Sequence, residues 1–168
     1  FFKDGSIKTI SKKDGLAGNR VRFTLRSSNG LLWIGTTTGP AVYYKGVITN
    51  FTENDGLSNL FTLCAMESRK GTIWFGTDGG GAVELNVSVS EDNEPKIKVE
   101  RVLTKKEGLI GNIIFRITED KDGNIWFCTG EGLSLFKDNL FYNANTAIGQ
   151  KTISVYNVLY DTQDNLWI

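Results

Sequence analysis

The sequence has 168 residues, 40% of them apolar, with nineteen basic residues balanced by nineteen acidic ones and no histidine. Such a chain can bury the core of one globular domain and lacks the excess charge of a disordered one. Zero net charge excludes a basic footprint for nucleic acid or an anionic membrane surface; the missing histidine excludes a Ser-His-Asp triad and a histidine phosphorelay on this chain.

The opening FFKDGSIKTI lacks the long apolar core of a signal peptide, and no run reaches the roughly 18 apolar residues of a membrane span, so no direct membrane contact is expected. We read residues 1–10 as the end of a third strand and a whole fourth strand of a unit that recurs along the chain. The recurrence shows in Trp33, Trp74, Trp126 and Trp167, spaced by 41, 52 and 41 residues, the middle interval longer by 11. A fixed period must be recognised before any element is assigned. It divides the chain into residues 1–10, 11–52, 53–104, 105–142 and 143–168.

Within 11–52, NRVRFTLRSS and LLWIGT are two strands joined by a turn at Ser28-Asn29-Gly30. PAVYY, a Lys45-Gly46 turn and VITNFT complete four short antiparallel strands. In 53–104 and 105–142, SRKG and DKDG place Gly71 and Gly123 where a hairpin needs a left-handed residue. Helical periodicity is missing, and turn signals recur about every 8 to 12 residues, as in an all-β sandwich, barrel or propeller. The second strands LLWI, TIWF, NIWF and NLWI are apolar on both faces, so both faces must be covered. That selects an all-β β-propeller of about four four-stranded blade repeats. Trp33, Trp74, Trp126 and Trp167 are then structural, each packed against the adjacent blade; Gly35 and Gly76, two residues along, leave room beside the indole, and Cys128 is the small apolar exception. Aromatic faces also stack on sugars, but repetition at a position buried on both sides favours the core.

The insertion that lengthens the middle interval falls in VSVSEDNEPKIKVE, 87–100, and is expected to lengthen the hairpin of third and fourth strands into a charged, exposed finger. Cys64 and Cys128 lack zinc-ligand spacing and read as buried free thiols; no metal and no cofactor is expected. In the DGL loops, Asp-Gly supplies a turn, Leu plugs the crevice between blades and Asn hydrogen-bonds backbone at the strand start. TDGGG, Thr77 to Gly81, neither fits a phosphate loop nor opens a helix and reads as a flexible turn.

The pattern DGL..N, a strand, an xDGNIW hairpin and WIGT..G resembles the two-component regulator propeller repeat of extracytoplasmic sensor regions in Bacteroides-type hybrid histidine kinases. Three copies carry it. They are Asp14-Gly15-Leu16 with Asn19 and Trp33-Ile34-Gly35-Thr36; Asp55-Gly56-Leu57 with Asn59 and Trp74-Phe75-Gly76-Thr77; and Glu107-Gly108-Leu109 with Asn112, Asp120, Asp122-Gly123-Asn124 and Trp126. The fourth copy, from Val155 to Ile168, keeps Asp161 and Trp167, but NTAIGQ stands in place of DGL and Asp164 in place of the turn glycine. The resemblance implies a piece of a larger, seven-bladed propeller in a periplasmic sensor, with an oligosaccharide or other small molecule as ligand. On that reading the fragment is no enzyme, although the full-length parent would be a histidine kinase. A protein-interaction scaffold and a carbohydrate-active enzyme with paired carboxylates are the alternatives.

Ligand sites in repeat proteins lie where the repeat is broken and loops gather on one face. The candidates are Arg20, Arg22, Thr38, Asp78, Arg116, Glu131 and Tyr156, polar or aromatic residues near the loops or on the inner strand. Arg22 and Arg116 suit bidentate hydrogen bonds to an anionic or hydroxylated sugar; Asp78 and Glu131, each after a threonine between second and third strands, could face one another as in a glycosidase, or be solvated. The chain begins without Met and ends in mid-repeat, which we read as a piece of a longer one. Its two terminal hairpins together amount to one composite blade, with which the three others could close a small four-bladed ring; an open arc is favoured, covered by neighbouring propeller blades or a second copy.

Overall fold

β-Branched and aromatic runs, cut by turn glycines, resolve into sixteen strands in the computed structural model, which describes residues 2–3, 5–90, 95–145, 153–161, 163 and 165–168. There is no α-helix among the described residues. β1 (Phe2–Lys3) and β2 (Ser6–Ile7) form a short hairpin. The first complete blade is β3 (Val21–Arg26), β4 (Leu32–Thr36), β5 (Gly39–Tyr44) and β6 (Val47–Asn50). β7 (Thr62–Glu67), β8 (Ile73–Thr77), β9 (Ala82–Val89) and β10 (Pro95–Leu103) make the second. β11 (Ile114–Glu119), β12 (Ile125–Thr129), β13 (Gly132–Lys137) and β14 (Leu140–Asn143) make the third. The chain ends in the hairpin of β15 (Leu159–Tyr160) and β16 (Leu166–Trp167).

Each blade is an antiparallel meander in chain order, and the blades meet through their first strands, β3 against β7 and β7 against β11. The chain is therefore a β-propeller segment with the first strand of each blade innermost. Among the described residues the terminal hairpins belong to separate two-stranded sheets and not to one composite blade, each pairing within itself. The NTAIGQ stretch beyond Asn145 lies outside the described residues, as does Asp164.

The second strand carries the core. Trp33 and Trp74 are buried and meet the phenylalanine of the next blade's second strand edge-on, Trp33 on Phe75 at 5.3 Å and Trp74 on Phe127 at 5.6 Å between centroids. Such pairs add about 1 kcal/mol to the burial of the rings. Trp126 is only half-buried and meets Tyr160 at 6.3 Å, and Trp167 is 62% exposed. The neighbour of Trp126 is the short hairpin β15–β16, which covers less of it than a four-stranded blade covers Trp33 and Trp74.

The glycine two residues on serves a different neighbour from the one expected. Gly35 pairs across the sheet with Phe23, whose ring occupies the space a Cβ would need. Gly76 pairs with Cys64, and a Cβ there would lie 2.5 Å from its sulfur and 2.8 Å from Cγ2 of Ile114 in the next blade. Room is made for the first strand, not for the indole. In the third blade the slot holds Cys128 opposite Arg116, an exposed residue that leaves it free. Both cysteines are free and buried, and burial pushes each thiol up to about 12.

The loops repeat as faithfully. Ser11, Thr52 and Thr104 each donate from backbone and hydroxyl to the acid three residues on, Asp14, Asp55 and Glu107. Gly15, Gly56 and Gly108 then turn left-handed, and Leu16, Leu57 and Leu109 are buried as plugs. Asn59 accepts from the Phe61 amide at the strand start, but Asn19 and Asn112 accept from Lys12 and Lys105 and lock the turn instead. The finger is not wholly exposed. Its Val87, Val89, Ile97 and Val99 pack on the core between the first two blades, while Ser88, Lys96, Lys98 and Glu100 face solvent, the alternation of a strand pair covering a core with one face.

Candidate functional site

A propeller presents two ends. At one end lie the turns between first and second strands; at the other, the loops between second and third strands and those that lead from blade to blade. At this second end the start of each inner strand is irregular. The register shifts between Val21 and Phe23, between Thr62 and Cys64 and between Ile114 and Arg116, so Arg22, Leu63 and Phe115 are bulged residues at equivalent positions. Bulges re-aim side chains and gather near functional sites.

The bulged residues and their neighbours form a continuous strip across the blades. Arg22 holds its guanidinium 5.9 Å above the ring of Phe61 in the second blade. The Phe61 carbonyl accepts from the Asp78 amide, and Asp78 bridges to Ile113 in the third blade. The Ile113 carbonyl accepts from Gly130, whose own carbonyl accepts from the Ser154 hydroxyl. Next, Phe115 stacks on Tyr156 with centroids 4.6 Å apart and planes 25° apart, although Tyr156 is 69% exposed.

Of the residues singled out in the sequence, Arg22, Asp78 and Tyr156 thus join one strip, and Glu131 flanks it in the loop after Gly130. Glu131 accepts an ion pair from Lys105 at 2.6 Å. Arg116 follows Phe115 on the inner strand and is exposed, its charge opposing the rise of both thiols. Arg20 is exposed and gives its carbonyl to the Thr37 amide. Thr38 donates to the Ala17 carbonyl, which ties the loop to the preceding turn. Phe61, Ile113 and Phe115 were passed over in the sequence. Their signal was the repeat itself: Phe61 and Ile113 occupy the position of Arg20, and Phe115 that of Arg22, apolar residues where the first unit has charge.

The opposite end holds an open cleft of about 300 Å³ between the second and third blades, reaching the turns at Ser68, Gly123 and Asn139. Its central cation is already engaged. Arg101 pairs with Glu84, donates to Asn139 and lies 4.8 Å above Phe136 and 5.9 Å above Trp74. It clamps a blade edge and offers a ligand little that is unsatisfied.

Comparison with known proteins accords with this architecture. Residues 108–131 match the family model described as two component regulator propeller. The sequence finds no match among curated proteins. Among solved structures, the extracellular domain of the putative hybrid two component system BT3049 from B. thetaiotaomicron is 29% identical with a TM-score of 0.71, over 95% of this chain and 22% of that one. That of BT4673 from the same organism is 21% identical with a TM-score of 0.73, over 90% of this chain and 22% of that one. Virginiamycin B lyase from Staphylococcus aureus shares the fold at 17% identity and a TM-score of 0.55, over 88% of this chain and 48% of that one. The chain thus spans 22% of the length of the sensor domains it resembles. The likeness read from the DGL and NIW motifs is borne out: the chain carries a two-component regulator propeller repeat within a β-propeller.

Proposed function

We propose that this chain is a ligand-recognition segment of the periplasmic sensor propeller of a hybrid two-component regulator, and that its rim strip binds an oligosaccharide without altering it. The observation that supports this reading is the exposed, stacked Phe115–Tyr156 pair on the inner rim. A tyrosine held flat yet open to solvent is a platform for the apolar face of a sugar ring. The likeness to extracellular domains of hybrid two-component systems supports the sensor role. A periplasmic location accords with it; among the described residues no helix is long and apolar enough to cross a membrane.

The enzymatic alternative is weaker. Asp78 and Glu131 sit on different blades, and the partner of Glu131 is Lys105 instead of a second carboxylate. The test is a calorimetric titration against a panel of glycan oligosaccharides, with chromatography of the same mixtures. Saturable binding with unchanged sugar is expected, and Tyr156→Ala should weaken it about tenfold, given the contribution of a stacked aromatic. Cleavage products would refute the sensor reading, and a tight protein partner with no glycan binding would replace it with the scaffold.

A further inference from the structure

The longest break in the repeat, between Trp74 and Trp126, builds the ribbon of β9 and β10. In the first and third blades the third strand stops beside the start of the second, with Tyr43 opposite Leu32 and Phe136 opposite Ile125. In the second blade Leu85 faces Ile73, the first residue of β8, and β9 then runs on through Asn86, Val87, Ser88 and Val89 paired with β10 alone. One edge of β9 is open there. Ser68 donates to the Thr72 carbonyl and Thr77 to that of Gly81, so Ile73 and Leu85 exchange their backbone bonds with each other, and the amides and carbonyls of Val87 and Val89 point the same way, past the end of β8. Pro95, which has no N–H to give, stands opposite Val89 and agrees with that alternation. An open cleft of about 390 Å³, bordered by Asn86 and Val87 and by the turn Lys70-Gly71-Thr72, lies against this edge.

The other edge of the ribbon is defended. β10 begins at Pro95, carries Lys96, Lys98 and Glu100 and is bulged at Glu100, devices that keep an edge strand from taking up another. Asn86 to Val89 has none of them. We propose that this open edge is a dimer interface, pairing antiparallel with the same edge of a second copy about a two-fold axis at Ser88. The edge complements itself. Val87 and Val89 take alternate positions with the same bonding direction, so Val87 of each copy exchanges backbone bonds with Val89 of the other, and Ser88 faces Ser88. The valines, half-buried over the core between the first two blades, continue as one apolar face across the join, and Asn86 and Ser88 lie on the solvent side. An unrelated strand has to match that alternation by chance; a second copy has it by construction. None of these residues belongs to the rim strip, so the dimer does not depend on what the rim binds.

The experiment is sedimentation equilibrium of the chain from micromolar concentration up to about 1 mM, the weak end of specific association. The mass is expected to rise from 18.6 kDa toward that of a dimer. Ser88→Lys, at an exposed site, sets like charges opposite each other at the axis and should weaken association about tenfold or more with unchanged unfolding curves. Val89→Pro removes an edge donor and should act in the same direction. Residues opposite each other in a pair without direct hydrogen bonds have Cα atoms about 4.5 Å apart, within disulfide reach, so Ser88→Cys should give a covalent dimer on mild oxidation, whereas Lys96→Cys, on the outer strand, should not. The native thiols are buried and do not compete. A chain that stays at 18.6 kDa throughout would overturn the dimer. So would a dimer that Ser88→Lys leaves intact and Ser88→Cys fails to link, since it would rest on another surface.

Discussion

Gly79 and Gly81 both have left-handed backbone, with φ of 95° and 79°, yet only at Gly81 would a Cβ run into the backbone carbonyl of Leu103. Gly81→Ala should therefore cost about 1–3 kcal/mol more than Gly79→Ala in urea unfolding, the usual penalty for a steric conflict that the main chain must absorb. The end of the TDGGG stretch is thus packed against the backbone of Leu103, a contact invisible in the sequence because the strand that makes it lies 22 residues away. The thiols make a second test at this scale. Cys64 and Cys128 are buried with pKa values near 12, so in the native protein at pH 8 neither should react with a disulfide reagent at the rate of a free thiol, and both should react at once in denaturant. Rapid native labelling would show that the blades part more readily than their packing implies.

The xDGNIW hairpin owes its shape to one carboxylate. Asp120 accepts from the amides of Asp122 and Asn124, from the Asn124 side chain and from the Trp126 indole, and Asp161 repeats the set with Gln163, Asn165 and Trp167. Burial raises Asp120, but the donors of Asn124 and Trp126 outweigh it and leave it below its ordinary value. The Asn165 and Trp167 donors take half-buried Asp161 from 3.8 to about 2. Depressed carboxylates stabilise the fold fully above their unfolded pKa, roughly 4, and that contribution disappears as pH falls through the folded value. Unfolding at graded pH should therefore show stability declining from about pH 4 toward pH 2, and Asp120→Asn should flatten that decline. A decline of the same size in the variant would assign acid sensitivity elsewhere. In the first two blades Ser27 and Ser68 stand in place of the aspartate, and Ser27 accepts the Trp33 indole. The hairpins and their order were legible from the turn glycines and both-faces-apolar strands. The role of the slot glycine was not, since Phe23 and Cys64 lie on a strand whose register shifts by one residue through the bulge.

At the scale of the molecule, repetition made the fold readable and also concealed the candidate site. Tryptophan spacing and apolar second strands indicate blades because every copy repeats the same packing problem. The rim strip departs from the repeat, and its members gain meaning only when blades are set side by side: Arg22 finds Phe61, and Phe115 finds Tyr156, across blade boundaries. Charged candidates were visible from the sequence, whereas Phe61, Ile113 and Phe115 looked like ordinary strand residues. The terminal hairpins, legible as partial blades, form separate sheets among the described residues. The most direct test of the rim as the binding surface is a heteronuclear NMR titration of the labelled chain with an oligosaccharide found to bind. The account predicts shifts concentrated at Arg22, Phe61, Asp78, Ile113, Phe115 and Tyr156. Shifts gathered instead at Ser68, Gly123, Lys137 and Asn139, around the cleft at the opposite end, would contradict it.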